Sequence, residues 1–210
     1  DVKFMEVADD LQDFSTFFPK GTCSELSKCL TKDIWEEYKN EVCSSGVSFK
    51  TCIFSGVKNL DSGIGVYAGS HDSYKKFYRL FDKVIENYHG HSPDAPHFSD
   101  MSSEGIVNSE FPPEDAKMVI STRIRVGRNL EGYPLGPGVT KSERLEIMNK
   151  VVEALSTFEG DLKGKFYPLE GMDNATQKKL IDDHFLFKEG DRFLAACNLN
   201  RDWPSGRGIF

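Results

Sequence analysis

The sequence has no long hydrophobic run and no excess of positive charge. No stretch approaches the roughly 18 consecutive apolar residues that a membrane-spanning helix requires, and the N-terminus lacks the basic-then-apolar order of a secretory signal. The 26 Lys and Arg residues are outnumbered by 33 Asp and Glu, so the formal net charge is −7. Nucleic-acid binders normally carry an excess of basic charge. We therefore expect a cytoplasmic protein that binds neither a membrane nor nucleic acid.

Cysteine is scarce and follows no metal-binding pattern. The five cysteines are irregularly spaced and include no Cys-x-x-Cys pair. His89 and His91 are two potential ligands, but no cysteine or carboxylate cluster accompanies them. We therefore expect reduced, buried thiols and no metal site held by the protein. A hydrophobic content of 39% over 210 residues is typical of a globular protein with one or two domains.

Helical patterns dominate the first ninety residues. Thr31 is a candidate N-cap for a helix whose apolar side chains fall at helical spacing through Val42. A clearer apolar stripe covers residues 72–88, and Gly90 supplies its stop signal. Residues 1–89 are therefore predicted to form a small all-helical domain.

The residue pattern of the sequence changes after residue 89. Residues 90–116 hold four prolines and no sustained periodicity, which is typical of a linker. Residues 117–210 mix strand and helix patterns, which predicts an α+β domain. Its predicted elements are a strand over 118–126, a helix after a Thr140/Glu143 capping box, a strand at 164–169, a helix from about 174 to 184, and a hairpin turning at 189–191.

Two arginines alternate with apolar residues in the first predicted strand. The period of two places Arg123 and Arg125 on one face, with Ile124 and Val126 on the other. Neighbouring guanidinium groups repel each other unless an anion joins them, and a guanidinium matches a phosphate edge with two hydrogen bonds. The pair therefore predicts a polyphosphate clamp. Solvent-facing arginines paired with local carboxylates are an equally consistent interpretation. The sequence has no P-loop motif.

A glycine-rich segment lies between two predicted helices. Gly63 and Gly65, separated by one residue, allow successive backbone N–H groups to line one concavity that suits a carboxylate or a phosphate. The glycine spacing does not fit a dinucleotide-binding fingerprint. An ordinary interhelical loop is the alternative. His184, at a predicted helix end, is by itself more typical of a capping residue than of a catalyst.

Seven ordered motifs carry a resemblance to one family. They occupy residues 60–68, 88–90, 121–128, 131–134, 166–169, 180–187 and 203–208. In this order and spacing the chain resembles the phosphagen (guanidino) kinases, and most closely their arginine-specific members. The resemblance implies an α+β fold in which a small all-α N-terminal domain precedes the first part of an antiparallel-sheet catalytic domain flanked by helices. It also implies reversible transfer of the ATP γ-phosphoryl group to the guanidino group of arginine, which buffers cellular energy.

The same resemblance assigns roles to individual residues. ATP or ADP, carrying its own Mg²⁺, would contact Ser121, Thr122, Arg123, Ile124, Arg125 and His184. The guanidino acceptor would contact Ser62, Gly63, Ile64, Gly65, Val66 and Tyr67, with backbone N–H groups on its carboxylate. Asp61 and Arg192 would form a domain-closure contact, although an ordinary surface salt bridge is equally consistent.

Some alternatives stay open at this point. The acceptor could be taurocyamine, lombricine or creatine, and the protein could be a monomer or a homodimer. The sequence begins at Asp1 without a methionine and stops at Phe210 directly after a Gly-Arg-Gly-Ile run. We therefore expect a piece of a longer protein whose catalytic residues follow Phe210, so that none is assigned here. A non-catalytic paralogue and an inactive fragment are the competing hypotheses.

Overall fold

The computed structural model describes residues 11–105, 110–186, 190 and 192–210. Helices dominate, and a two-stranded antiparallel sheet joins residues that lie about forty positions apart. The helices are α1 (Glu25–Cys29), α2 (Lys32–Tyr38), α3 (Phe49–Lys58), α4 (Ser73–Lys76), α5 (Tyr78–His89), α6 (Pro113–Ala116), α7 (Lys141–Ser156), α8 (Asn174–Asp182) and α9 (Arg192–Ala196). Strands β1 (Tyr167–Pro168) and β2 (Gly208–Ile209) pair Tyr167 with Ile209 and Pro168 with Gly208. The predicted α+β class with a helical N-terminal part is confirmed.

An aromatic cluster forms the core of the helical part. Phe77 is fully buried, and its ring centroid lies 5.5 Å from that of Tyr38 and 5.1 Å from that of Phe49. Trp35 packs edge-on against Phe17 at 4.8 Å. Such tilted arrangements suit the quadrupoles of aromatic rings and add to the gain from burying their large apolar surfaces. The aromatic cluster therefore fixes how α2, α3 and the start of α5 pack together.

Several helices begin or end at residues that are typical helix caps. The Ser48 hydroxyl accepts a hydrogen bond from the Thr51 N–H at the start of α3, and the Thr140/Glu143 capping box at the start of α7 is present as predicted. Gly90 ends α5 in the left-handed conformation with a φ of 70°. At the start of α8, the Asp173 carboxylate accepts hydrogen bonds from the N–H groups of the first turn.

The second half of the chain packs against the helical part along α3. The Ser55 hydroxyl donates a hydrogen bond to the Phe193 carbonyl in α9 at 3.0 Å. The Leu135 N–H donates to the Gly69 carbonyl at 3.0 Å, and the Leu135 side chain is buried in the core cluster of the helical part. Ala196 of α9 packs against the same cluster. These contacts bring residues distant in sequence next to the glycine-rich segment.

The predicted strand over 118–126 is wrong for this structure. The described structure assigns no strand to residues 118–126. The apolar side chains of this segment face solvent, with Ile120 97% and Ile124 87% exposed. A strand requires a ladder of hydrogen bonds to a second strand, and the sheet of the described residues consists of β1 and β2 alone.

Three other sequence predictions need correction. The helix predicted over 72–88 is broken at Phe77, which leaves helical angles (φ −107°, ψ 32°) and separates α4 from α5. The helix that starts at Lys32 ends at Tyr38, and Val42 instead forms a β-bridge with Ser48. Residues after the predicted hairpin form α9 rather than a strand, while positions 189 and 191 of its turn lie outside the described residues.

We expect the Ser48→Ala substitution to lower the free energy of unfolding by about 1 kcal/mol, because it removes the N-cap acceptor of α3. Urea denaturation followed by circular dichroism measures this change. Ser48→Thr, which keeps a capping hydroxyl, should retain most of the stability. Equal losses in the two variants would show that the cap is not the source of the effect.

Arg79 of α5 bridges two carboxylates of α2, Asp33 and Glu37, with a distance of 2.5 Å between Arg79 Nη2 and Asp33 Oδ2. Hydrogen bonds from the Thr31 hydroxyl and then from Arg79 lower the pKa of Asp33 from 3.8 to about 2. Because the folded-state pKa is the lower one, the stabilising effect of this carboxylate is complete above pH 3.8. It is lost as the pH falls towards 2.

The Asp33 pKa is measured by NMR titration of its carboxyl carbon, for which we expect a midpoint near pH 2. In urea denaturation, the stability difference between the unmodified chain and Asp33→Asn should shrink between pH 4 and pH 2. Glu153→Gln on the exposed face of α7 serves as a control that should show no such trend. A midpoint near 3.8 would contradict the arrangement around Arg79.

Candidate functional site

The glycine-rich loop, residues 62–67, lies between α1 and α3. The N–H groups of Glu25 and Leu26, in the first turn of α1, donate to the carbonyls of Gly63 and Ile64, each at 2.9 Å. On the other side, the Tyr67 N–H donates to the Cys52 carbonyl in α3, also at 2.9 Å. The first N–H groups of a helix have no partner inside it, so the loop carbonyls satisfy them. Two helices therefore fix the loop in one orientation.

The opposite side of the loop carries its amides. The backbone N–H groups of Gly63, Ile64, Gly65 and Val66 have no hydrogen-bond acceptor among the described residues. Gly63 and Ile64 are exposed residues. Successive amides with no internal acceptor form a partial positive charge that suits a carboxylate or a phosphate. The structure thus gives the loop the polarity that an anion-binding site needs.

Two glycines let the loop approach α3 closely. Gly65 has a φ of 84°, which L side chains rarely adopt, and a Cβ at this position would lie 2.9 Å from the Gly56 Cα. A Cβ on Gly56, in the last turn of α3, would lie 2.4 Å from the Gly65 carbonyl oxygen. The sequence analysis did not single out Gly56. Its signal was available, because a glycine inside a helical pattern indicates a close approach of another backbone.

The residues predicted to bind ATP lie in two places. The first five, Ser121 to Arg125, follow one another in the exposed segment described above. His184 directly follows the C-cap of α8, with a φ of 62°, and its N–H donates to the Ile181 carbonyl at 3.0 Å. Its side chain is exposed. The two arginines thus lie in an exposed segment that is not the predicted strand.

The structure brings Asp61 and Arg192 together. Asp61 directly precedes the loop, Arg192 opens α9, and their side chains form an ion pair between Asp61 Oδ2 and Arg192 Nη2. Both side chains are 61% exposed. The pair sits beside the Ser55–Phe193 hydrogen bond, so it adds a second polar link between the loop region and α9. Whether it acts in domain closure stays a prediction.

Arg207, in the 203–208 motif, has a local structural role. Its guanidinium donates to the carbonyls of Leu199 at 2.7 Å and of Arg201 and Ser205 at 3.0 Å. Burial, followed by the nearby charge of Arg144, lowers the pKa of Arg207 to about 10. The guanidinium therefore holds the turn that leads into β2.

The described residues form neither a metal-binding cluster nor a membrane-spanning helix. Within the described parts of the chain, no group of three or more His, Cys, Asp or Glu could hold a metal ion. No helix that the structure describes is long and apolar enough to cross a bilayer. The cysteines are free, and four of the five are buried, as the sequence predicted.

Comparison with known proteins identifies the family. The profile of the ATP:guanido phosphotransferase N-terminal domain matches residues 21–86, and that of the ATP:guanido phosphotransferase C-terminal catalytic domain matches residues 146–210. Together the two profiles span more than half of the chain. The chain belongs to the ATP:guanido phosphotransferase family. The resemblance to phosphagen kinases, and to the arginine-specific ones in particular, is thereby confirmed.

Curated relatives of this ATP:guanido phosphotransferase include arginine kinases. One from Anthopleura japonica is 50% identical over 188 residues, which cover 89% of this chain and 26% of the relative. Another from Pachygrapsus marmoratus is 50% identical over 192 residues, which cover 89% of this chain and 52% of the relative. The chain therefore spans about a quarter of the first relative and about half of the second.

Solved structures of the family have the same fold. A duplicated taurocyamine kinase from Schistosoma mansoni, with bound transition state analog components, aligns with a TM-score of 0.77 and 31% identity, covering 97% of this chain and 28% of that one. A lombricine kinase aligns with a TM-score of 0.78 and 26% identity, covering 96% of this chain and 54% of that one. The α+β arrangement of this ATP:guanido phosphotransferase is that of its family.

We expect a double-mutant cycle on Asp61→Ala and Arg192→Ala to give a coupling energy of about 0.2–1 kcal/mol at low salt, because the ion pair is exposed. Urea denaturation of the four proteins measures it. In 1 M NaCl the coupling should vanish, since the Debye length falls to about 3 Å. The pair Asp61 and Lys163, for which the structure gives no ion pair, is the matched control. A coupling that is absent at low salt would contradict the contact.

Proposed function

We propose that the protein containing this chain transfers the γ-phosphoryl group of ATP reversibly to the guanidino group of arginine. The observation that carries the proposal is the loop at residues 62–67, in which the carbonyls of Gly63 and Ile64 accept from α1 while the N–H groups of residues 63–66 have no acceptor among the described residues. Identity of 50% to arginine kinases over 89% of the chain supports arginine as the acceptor. We further propose a cytoplasmic location for this enzyme.

The loop would bind the carboxylate of the amino-acid acceptor. Gly63 and Ile64 are exposed residues whose N–H groups have no acceptor among the described residues, so a carboxylate would receive hydrogen bonds that the fold does not provide. Hydrogen bonds to a charged acceptor are stronger than those between neutral groups. Ser62, Gly65, Val66 and Tyr67 complete the proposed acceptor site.

The exposed segment from Ser121 to Arg125 would bind the polyphosphate of ATP or ADP. Phosphoryl transfer depends mainly on positioning and on neutralising phosphate charge, and guanidinium groups do both. Arg123 and Arg125 are two positions apart in an exposed segment, and we propose that both reach one polyphosphate. Mg²⁺ would arrive with the nucleotide, and His184 would approach its adenosine portion.

The proposed domain organisation places the acceptor and nucleotide residues in different units. Residues 1–89 would form the helical acceptor domain, 90–116 the linker, and 117–210 the N-terminal part of the catalytic domain. Asp61 and Arg192, which belong to different units, would hold them together when both substrates are bound. Closure of this kind excludes water and aligns the reacting groups.

Taurocyamine or lombricine is the second candidate acceptor. The solved structures that resemble the chain include a taurocyamine kinase at 31% identity and a lombricine kinase at 26% identity. Both acceptors carry a guanidino group together with an anion that arginine lacks, a sulfonate in taurocyamine and a phosphodiester in lombricine. An amide-lined loop can bind either kind of anion, so only turnover measurements separate them.

The acceptor is identified by a panel of guanidino compounds tested with the full-length protein and MgATP. We expect arginine to give the highest kcat/KM, followed by much lower values for taurocyamine, lombricine and creatine. Phosphorus NMR detects the N-phosphorylated product directly. A protein that phosphorylates none of the panel would be a non-catalytic member of the family.

The same assay tests the nucleotide site. We expect Arg123→Ala and Arg125→Ala each to lower kcat by about 100-fold or more, because each removes a charged donor from the transferring phosphoryl group. Arg128→Ala, in the same exposed segment but outside the proposed site, is the matched control and should stay near the unmodified rate. Near-normal rates in both test variants would remove the segment from the proposed site.

A further inference from the structure

The last turn of α3 contains a glycine, Gly56, that intrinsic helix propensity does not explain. Gly56 lies two positions before the last residue of a ten-residue helix, and glycine is among the least favourable residues inside a helix. Its neighbours on either side, Ser55 and Val57, show that the helix is continuous there. A glycine kept inside a regular helix indicates that another group lies too close for a side chain.

The group that lies too close is the backbone of the loop. An ideal Cβ on Gly56 would lie 2.4 Å from the carbonyl oxygen, 2.6 Å from the Cα and 2.8 Å from the carbonyl carbon of Gly65. Ordinary contacts between such atoms are about 3.5–4.0 Å. All three atoms belong to backbone, which cannot rotate away as a side chain would. An alanine at this position therefore requires the loop to move by roughly 1 Å.

The direction of this movement is set by the fixed sides of the loop. Gly65 is buried between α3 and the Leu26 side chain of α1, while Gly63 and Ile64 are exposed. We therefore expect the loop to give way towards its exposed residues, Gly63 and Ile64. A movement in that direction shifts the N–H groups relative to the acceptor that they would bind.

We propose that Gly56 is a positioning residue that sets the distance of the loop amides from the bound acceptor. Gly56 touches no substrate and acts through its backbone contact with Gly65. This inference rests on the proposed function, because it concerns the acceptor that the loop binds. A displacement of about 1 Å in a positioning group is enough to change a rate by up to roughly 100-fold.

The experiment measures steady-state kinetics of the full-length enzyme carrying Gly56→Ala. We expect kcat/KM for arginine to fall by about 10- to 100-fold, mostly through KM, while the KM for ATP changes less than about twofold. Agmatine, which is arginine without its carboxylate, is the diagnostic probe. Because the loop amides act on the carboxylate, the inhibition constant of agmatine should be the same in both proteins.

Two control variants accompany the test. Gly105→Ala replaces a glycine at which a Cβ meets nothing within 4 Å, and it should leave all kinetic constants unchanged. Lys58→Ala alters an exposed side chain on the same helix and should also have no effect. Thermal denaturation of each variant shows whether a kinetic change accompanies a loss of stability.

The outcomes separate the positioning role from a structural role. An unchanged KM for arginine in a folded Gly56→Ala enzyme would falsify the proposal. It would also be overturned if the agmatine constant and the KM for ATP rose together with that of arginine. If Gly56→Ala does not fold, Gly65→Ala is measured instead. A Cβ on Gly65 would lie 2.9 Å from the Gly56 Cα, so this variant disturbs the same contact between the loop and α3. Retention of the arginine KM in that variant would overturn the proposal equally.

Failure of the proposed function gives a different result. If the unmodified full-length protein phosphorylates no guanidino compound, the proposed function is wrong, whatever Gly56 does. If the unmodified protein is active on arginine and the Gly56 and Gly65 variants match it, the function stands and the positioning role is wrong.

Discussion

The candidate site depends on two hydrogen bonds from the first turn of α1 to the loop. The N–H groups of Glu25 and Leu26 would have no acceptor inside their own helix, and the carbonyls of Gly63 and Ile64 satisfy them. The next two N–H groups of this helix are bound by Ser24, so each of its first four donors has an acceptor. In a planar trans peptide unit the C=O and the next N–H point in opposite directions, so the N–H groups of Ile64 and Gly65 point away from the α1 donors. The polarity of the site is therefore a consequence of how a short helix begins.

The contact between the two halves of the chain also depends on a few neighbouring residues. Ser55 and Gly56 are neighbours on α3, and they face different elements: the Ser55 hydroxyl binds the Phe193 carbonyl of α9, whereas Gly56 contacts the loop. Asp61 adds an exposed ion pair to Arg192, which begins α9. An exposed pair contributes little to stability, so its value lies in the specificity of the contact rather than in its energy. Helix α3 thus serves as the common support of the loop and of the second half.

The sequence predicted those parts of the fold that depend on residues close together in the chain. The capping box at Thr140 and the left-handed Gly90 follow from residues within one helical turn, and both are present. The break at Phe77 escaped prediction because the apolar stripe continues through it, and only packing against the core rings shows that the helix must bend there. The strand over 118–126 failed because pairing is a property of two segments, and periodicity describes one. The Asp61–Arg192 contact joins positions 131 apart, so family resemblance alone could indicate it.

The exposed segment also bears on the solubility of the chain. Ile120, Ile124 and Val126 present β-branched side chains to water within seven residues, a composition that favours aggregation. Arg123 and Arg125 interrupt this pattern with charge at alternate positions, as gatekeeper residues do. The two guanidinium groups would then have two roles. Their charge would attract a polyphosphate, and it would also keep one copy of the segment from pairing with another.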